Sequence, residues 1–311
     1  MNSPKTLNYE VRPCKFVERR LLLSSLNQIV PRFKVDYQYI GFGGVAFTDF
    51  KLFHKELNIN TMHSIEGGVF SRGRLEFNKP YSCINLLFGN STDKLLDLDL
   101  SKPSIVWLDY DNALNEAVFI DIDILFRSLP HGSVYIISCN RELKNENNQT
   151  MKKDELEERF KGYTPFDLDG DCCADVKAPT TIKRMISACC HGKLKERNRL
   201  DNSNLKFVPL YNIKYQENHG ARMYTYGGVI LDGEYDEKEI IDSIPSLLKP
   251  EVLLNIDVPN LTYMEALYLN QILNDRRKED EVIENGLIST NDLQKYKMFY
   301  KYMPNFHDVR V

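Results

Sequence analysis

Short apolar runs alternate along this chain with stretches of helical periodicity. From Arg12 to Leu23, apolar residues fall on one face and charges on the other, which predicts a helix. Pro13 fits its first turn, and Pro31 is expected to end it. Tyr37-Gln38-Tyr39-Ile40 reads as a short strand running into the glycine cluster Gly41-Phe42-Gly43-Gly44. Phe47, Phe50, Leu52, Phe53 and Leu57 then mark an amphipathic helix. Further strands are predicted at Thr61–Ile65, closing on Glu66-Gly67-Gly68, and at Cys83–Phe88, closing on Gly89-Asn90-Ser91. Ser104–Leu108 closes on Asp109-Tyr110-Asp111, a helix is expected at 113–128, and Ser133–Ile137 closes on Ser138-Cys139-Asn140.

This alternation predicts β-α units around a parallel sheet, and the run-like strands imply burial on both faces. In such sheets ligands bind at the carboxyl ends of the strands. Here those ends carry glycine, acids and amides. From 141 to about 206 the chain turns polar, with a mobile loop expected at Asn145–Gln149 and a helix at 180–196. Residues 205–215 and 221–231, joined by Glu217-Asn218-His219-Gly220, predict an antiparallel hairpin closing the sheet. The remainder, 235–311, reads as helical and charged. The expected organisation is a helical segment over 1–34, an α/β domain over 35–232 with a polar insertion at about 141–204, and a helical extension over 233–311.

Composition narrows the classes. At 311 residues and 42% hydrophobic content the chain can bury a core, which excludes general disorder. Forty Lys and Arg against 44 Asp and Glu give a net charge of −4, which does not favour nucleic acid as the partner, although Lys193–Arg199 is a local basic run. No stretch reaches the ~20 apolar residues that cross a bilayer, and Met1–Asn8 has no apolar run behind its charge. Seven cysteines, four of them as Cys172-Cys173 and Cys189-Cys190, read as reduced thiols of a cytoplasmic protein. Adjacent cysteines lack zinc-knuckle spacing.

The strand-end signals over about 36–231 resemble the class I S-adenosylmethionine-dependent methyltransferases. These have a seven-stranded Rossmann-like sheet of strand-helix units with a terminal antiparallel hairpin. The resemblance implies S-adenosylmethionine as cofactor. It places Gly41, Phe42, Gly43 and Gly44 in the turn packed against it, Glu66 on the ribose hydroxyls, and Asn90 and Ser91 near the adenine. Asp109 then faces the methyl donor and acceptor. Asp111 and Asn140 join it as candidate catalytic residues. The bland alternatives are ordinary turn glycines, a solvated Glu66, and Asp109 or Asp111 capping the next helix.

A closer resemblance is carried by Arg12-Pro13 with Lys15 and Glu18-Arg19, by Tyr39–Gly43, by Asp49-Phe50 with Leu52-Phe53-His54, and by Val106–Asp111. These are similar to a bacterial group labelled putative O-methyltransferases. Two departures stand out. Tyr39 sits where the class has an acid two residues before its first glycine, and Val45 replaces the third glycine. Asp49 or Glu18 would then have to receive the cofactor's amino group. Catechol-type relatives hold a metal near Asp109 and Asn140, but Cys139 stands where they have an acid, and a thiol does not suit magnesium. No metal is therefore expected. His54, His63 and His219 are further candidate bases. Two readings stay open. One is an enzyme methylating an oxygen or nitrogen acceptor. The other is a degenerate sensor or scaffold in a larger complex, since such groups occur beside antiviral defence genes. In the second reading, the amphipathic segment Leu261–Leu269 is a candidate partner surface.

Overall fold

The computed structural model describes residues 12–68, 70–217 and 220–304. The elements in chain order are α1 (Pro13–Phe33), β1 (Gln38–Gly41), α2 (Thr48–Leu57), β2 (Thr61–Glu66), α3 (Arg72–Asn78), β3 (Ile84–Phe88), α4 (Ser91–Leu96), β4 (Ser104–Ala113), α5 (Glu116–Ser128) and β5 (Val134–Asn140). After them come α6 (Lys153–Phe160), α7 (Ala178–Asp201), β6 (Leu205–Gln216), β7 (Arg222–Asp232), α8 (Glu237–Ile241), β8 (Leu254–Ile256), α9 (Tyr263–Ile272), α10 (Arg276–Glu284) and α11 (Thr290–Phe299).

The eight strands form one sheet in the order β3-β2-β1-β4-β5-β7-β6-β8. β1 to β5 pair in parallel, and β7 runs antiparallel between β5 and β6. Period-two alternation sends successive side chains to opposite faces. Val106 and Leu108 therefore join the core beneath α5 and α7, while Ile105 and Trp107 join the one beneath α1 and α2. Two apolar layers against one sheet explain why the strands read as unbroken runs. β7 carries adjacent glycines because its neighbours crowd it. A Cβ on Gly228 would land on the Val208 carbonyl oxygen and lie 2.8 Å from Pro209 Cα. One on Gly227 would meet the Tyr135 carbonyl oxygen and lie 2.9 Å from Ile136 Cα.

Several expectations change. Pro31 does not end α1, which continues to Phe33. Proline in the last turn forfeits one backbone bond, and Phe33 holds the helix beyond it by packing edge-on against His131 at 5.0 Å. Nor does α1 segregate its charges: Lys15, Glu18 and Arg19 are all buried. β4 extends to Ala113, so the following helix starts at Glu116 with Asn115, not Asp111 or Asp109, at its N-cap. The hairpin does not close the sheet, because β8 pairs in parallel with β6 outside it. Asn145–Gln149 is a hydrogen-bonded turn, with Asn145 N donating to the Gln149 carbonyl at 2.9 Å and a bridge between Lys144 and Thr150. α9 packs with α10 and α11 around Leu269, Ile272, Val282 and Tyr296, a third apolar cluster separate from both sheet cores.

Gly228→Ala is expected to cost on the order of 1–3 kcal/mol, the usual range for overpacking against fixed neighbours. Urea denaturation of the purified variant checks this; an unchanged midpoint would mean that β6 gives way there.

Candidate functional site

The carboxyl ends of β1, β2 and β4 come together beside the first turns of α1. The turn after β1 is tight because the protein's own atoms fill the space a side chain would need. A Cβ on Gly41 would lie 2.6 Å from the Tyr39 hydroxyl and 2.9 Å from the Trp107 carbonyl oxygen. One on Gly43 would lie 2.5 Å from Ser64 Oγ and 2.6 Å from the Phe47 ring. Gly44 takes the left-handed conformation, φ 55°. Gly43 N donates to Ser64 Oγ at 2.9 Å, and Ser64 Oγ donates to Glu66 Oε1 at 2.7 Å. Burial pushes the Glu66 carboxyl upward, opposed by Ser64 and by the backbone N–H groups of Gly43 and Gly44. Glu66 is thus bound to the glycine turn across two strand ends, and the solvated alternative for it does not hold.

Asp109 meets a buried ion network. Lys15 Nζ lies 2.7 Å from Asp109 Oδ2 and 2.7 Å from Glu18 Oε2. The ammonium sits 4.6 Å from the centre of the Trp107 ring. Burial opposes its charge, but Asp109 and then Glu18 more than offset this and hold its pKa well above the ordinary lysine value. Glu18 is fixed in turn by a chain of donors. Trp107 Nε1 donates to Ser138 Oγ at 3.0 Å, Ser138 and Thr225 hydroxyls lie 2.7 Å apart, and Thr225 Oγ1 donates to Glu18 Oε1. Beside this network Arg19 Nε donates to Asp49 Oδ1 at 2.5 Å. Among the described residues, Asp109 Oδ1 and the Tyr39 hydroxyl are buried without a hydrogen-bond partner.

The other candidates are placed as follows. Asp111 is exposed on the irregular end of β4. Asn140 ends β5, where its Oδ1 accepts from Glu142 N at 3.0 Å. Asn90 caps α4, its Oδ1 accepting from Asp93 N at 2.8 Å. Ser91 Oγ donates to Asp121 Oδ2 at 2.5 Å. Phe42 stands edge-on to Tyr110 with ring centroids 5.2 Å apart. Burial pushes the Cys139 thiol up to about 12, so it is a neutral thiol. No cluster of three or more His, Cys, Asp or Glu with metal-binding geometry occurs among the described residues. His54 faces the Ile59 carbonyl oxygen at 2.9 Å, and His63 lies within β2, where burial lowers its pKa. His219 lies outside the described residues. Two of the four cations in the basic run on α7 are paired: Lys193 with Asp123 at 2.7 Å and Arg197 with Asp201 at 3.3 Å.

Pattern alone does not single out Lys15, Arg19, Thr225, Tyr110 or Asp121 as site residues. One signal was available. Lys15, Glu18 and Arg19 share a helix face with Leu22 at spacings of three and four, so charge falls on an apolar stripe.

Five parallel strands followed by an antiparallel hairpin, with β7 between β5 and β6, make the sheet of the class I S-adenosylmethionine-dependent methyltransferases. The model of the family described as "putative O-methyltransferase" matches residues 7–311, and the chain belongs to that family. No curated protein matches the sequence. Solved structures similar to it include human N-acetylserotonin methyltransferase in complex with SAM, at 8% identity, 68% of this chain, 51% of that one and a TM-score of 0.37. An O-methyltransferase family protein from Burkholderia thailandensis aligns at 10% identity over 68% of this chain and 56% of that one, TM-score 0.36. Precorrin-6y C5,15-methyltransferase from Geobacter metallireducens aligns at 14% identity over 67% and 84%, TM-score 0.33. The chain spans about half the length of the first two.

Lys15→Met strands the buried Glu18 carboxylate and the partly buried Asp109 carboxylate without their cation. It is expected to destabilise the protein at pH 7 by about 3–5 kcal/mol. Burial then favours the protonated form of Glu18. The folded state would bind the extra proton, so the deficit should shrink as pH falls from neutral toward the ordinary carboxylate range. Urea titrations at several pH values check this; a deficit independent of pH would contradict it.

Proposed function

We propose that the protein transfers a methyl group from S-adenosylmethionine to an acceptor oxygen. The observation that carries this is Asp109: one carboxylate oxygen is fixed by Lys15 at 2.7 Å and the other is buried without a partner. A hydroxyl donating to that free oxygen is oriented for attack and loses its proton to it as transfer proceeds. The Lys15 ammonium, held charged on the other side of the carboxylate, fixes its orientation toward the acceptor. A neutral amine attacks without prior loss of a proton, so an available acceptor lone pair suits oxygen better than nitrogen. The family description agrees. S-Adenosylmethionine, when bound, supplies the electrophilic methyl group.

The residues fit that cofactor in kind. Three of the four residues in the turn Gly41–Gly44 are glycine, which lets its backbone approach a ligand closely. Glu66 accepts from the ribose hydroxyls, and Phe42, Asn90 and Ser91 flank the adenine. The unpartnered Tyr39 hydroxyl and Asp109 Oδ1 await polar partners at the methionine end. Asp111 and Asn140 border the acceptor's approach, and no metal is assigned. We take 35–232, with its polar insertion, as the catalytic domain, 1–34 as the segment that completes its site, and 233–311 as an extension that adds β8 to the sheet. Seven free cysteines support a reducing, cytoplasmic setting. Among the described residues no helix is long and apolar enough to cross a membrane.

A second reading has its own observation. The carboxylates beside the glycine turn are already matched by the chain's own cations, Asp49 by Arg19 and Glu18 by Lys15. A domain without a free acid for the cofactor's amino group would act as a sensor or scaffold in a larger complex. Tyr263, Met264 and Tyr268, exposed on α9, would then be the partner surface.

Isothermal titration with S-adenosylmethionine and S-adenosylhomocysteine separates the two. The enzyme reading predicts saturable binding of both, weakened at least about tenfold in Glu66→Ala. The scaffold reading predicts neither. Because an ionised Glu66 accepts hydrogen bonds more strongly than a protonated one and burial raises its pKa, affinity should fall as pH drops into the range just above the ordinary glutamate value. Glu66→Gln should remove that dependence. An enzyme whose affinity stays flat across this range would refute the role given to Glu66.

A further inference from the structure

Asp121 is a fully buried carboxylate on the apolar face of α5, between Val118 and Leu125. Among the described residues no salt bridge reaches it. Its partners are three hydroxyls from two other segments. Ser91 Oγ donates to Oδ2 at 2.5 Å and Thr92 Oγ1 to Oδ1 at 2.7 Å, both from the first turn of α4. Tyr110 donates to Oδ2 at 2.5 Å from the irregular end of β4. Burying an ionised carboxylate costs several kcal/mol unless strong donors satisfy it. A leucine here would pack the same face at less cost. The acid therefore makes sense as a clamp on what it holds.

What it holds lies along the proposed nucleoside-binding edge. Ser91 opens the helix after β3. Tyr110 follows Asp109 and packs its ring edge-on against Phe42 in the glycine turn. Phe42, Leu87 and Tyr110 are each only partly buried against the core below α5. They form a half-open apolar floor reaching from β3 past the turn after β1 to the end of β4. Tyr110 continues the alternation of Val106 and Leu108 onto this face, where the pairing of β4 with β5 turns irregular between Asp109 and Ala113. The Tyr110 hydroxyl is thus the tie that holds this ring where the strand pairing lapses.

We infer that Asp121 is a positioning residue for the purine-binding floor: by gathering the Ser91, Thr92 and Tyr110 hydroxyls it fixes the Tyr110 and Phe42 rings for contact with the nucleoside half of the cofactor. The inference rests on the methyltransferase reading. It assigns Asp121 no contact with ligand and no part in methyl transfer.

The test is titration of wild-type protein, Asp121→Asn and Tyr110→Phe with S-adenosylhomocysteine and with adenosine, which lacks the amino-acid tail. Melting curves report whether each variant folds. Asp121→Asn should weaken both ligands by the same factor, about tenfold or more, because the loss lies in the half they share. Tyr110→Phe keeps the ring but frees it, and should weaken both in parallel by a smaller factor. It also carries the test if Asp121→Asn fails to fold. A folded Asp121→Asn that binds both ligands as wild type does would overturn the inference, as would one that loses S-adenosylhomocysteine but keeps adenosine. If Tyr110→Phe alone folds and binds both normally, the inference is likewise overturned. Wild-type protein that binds neither ligand would instead overturn the methyltransferase reading, and this inference with it.

Discussion

The ammonium of Lys15 between Glu18 and Asp109 is the interaction on which the rest of this site depends. Each of the three groups is costly to bury alone. Together they join the first turn of α1 to the end of β4, and the Trp107–Ser138–Thr225 chain extends that join to β5 and β7. The network thus sets the position of α1 over the sheet and the position of Asp109 at its edge by the same contacts. Hydrophobic packing of Val17, Leu21, Leu22 and Leu26 presses the helix onto the sheet but is not directional. The ion triad supplies the register.

The remaining strand ends are linked by the same kind of device, a buried polar group reaching across elements. Ser64 and Glu66 tie the end of β2 to the turn after β1, and Asp121 ties α4 to the end of β4. The carboxyl edge of the sheet is therefore more rigidly specified than a row of loops on a scaffold would be. Among the described residues, the Tyr39 hydroxyl and one oxygen of Asp109 are buried at this edge without a hydrogen-bond partner. An edge built this way suits a reaction in which alignment contributes most of the rate.

Much of the fold was legible in the sequence because its strands are buried on both faces and its turns carry glycine and acids. Thr61–Glu66 and Leu205–Gln216 fall where apolar runs and turn residues put them. β8 was not legible: three residues with one buried side chain leave no period to read. Pro31 misled because a local rule met tertiary packing, and Phe33 held the helix. At the site, Glu66 and Asp109 could be picked out as acids closing apolar runs. Lys15, Arg19 and Asp121 could not be assigned partners, since Asp109 lies 94 positions from Lys15 and a charge on an apolar stripe does not name its counter-ion. The glycines were found for a partly different reason. Gly41 and Gly43 make room for Tyr39, Trp107, Ser64 and Phe47 as much as for any ligand.

The central claim is that the Lys15 network and the glycine turn together form a working cofactor site in the chain as it stands. A crystal structure of the full chain grown with S-adenosylhomocysteine tests it most directly. The account predicts density along the carboxyl edge of β1, β2 and β4, with the ribose on Glu66, the purine over Phe42 and Tyr110, and Lys15 still bridging Glu18 and Asp109. Ligand bound elsewhere, or Lys15 displaced from Asp109 with the ligand in its place, would contradict it.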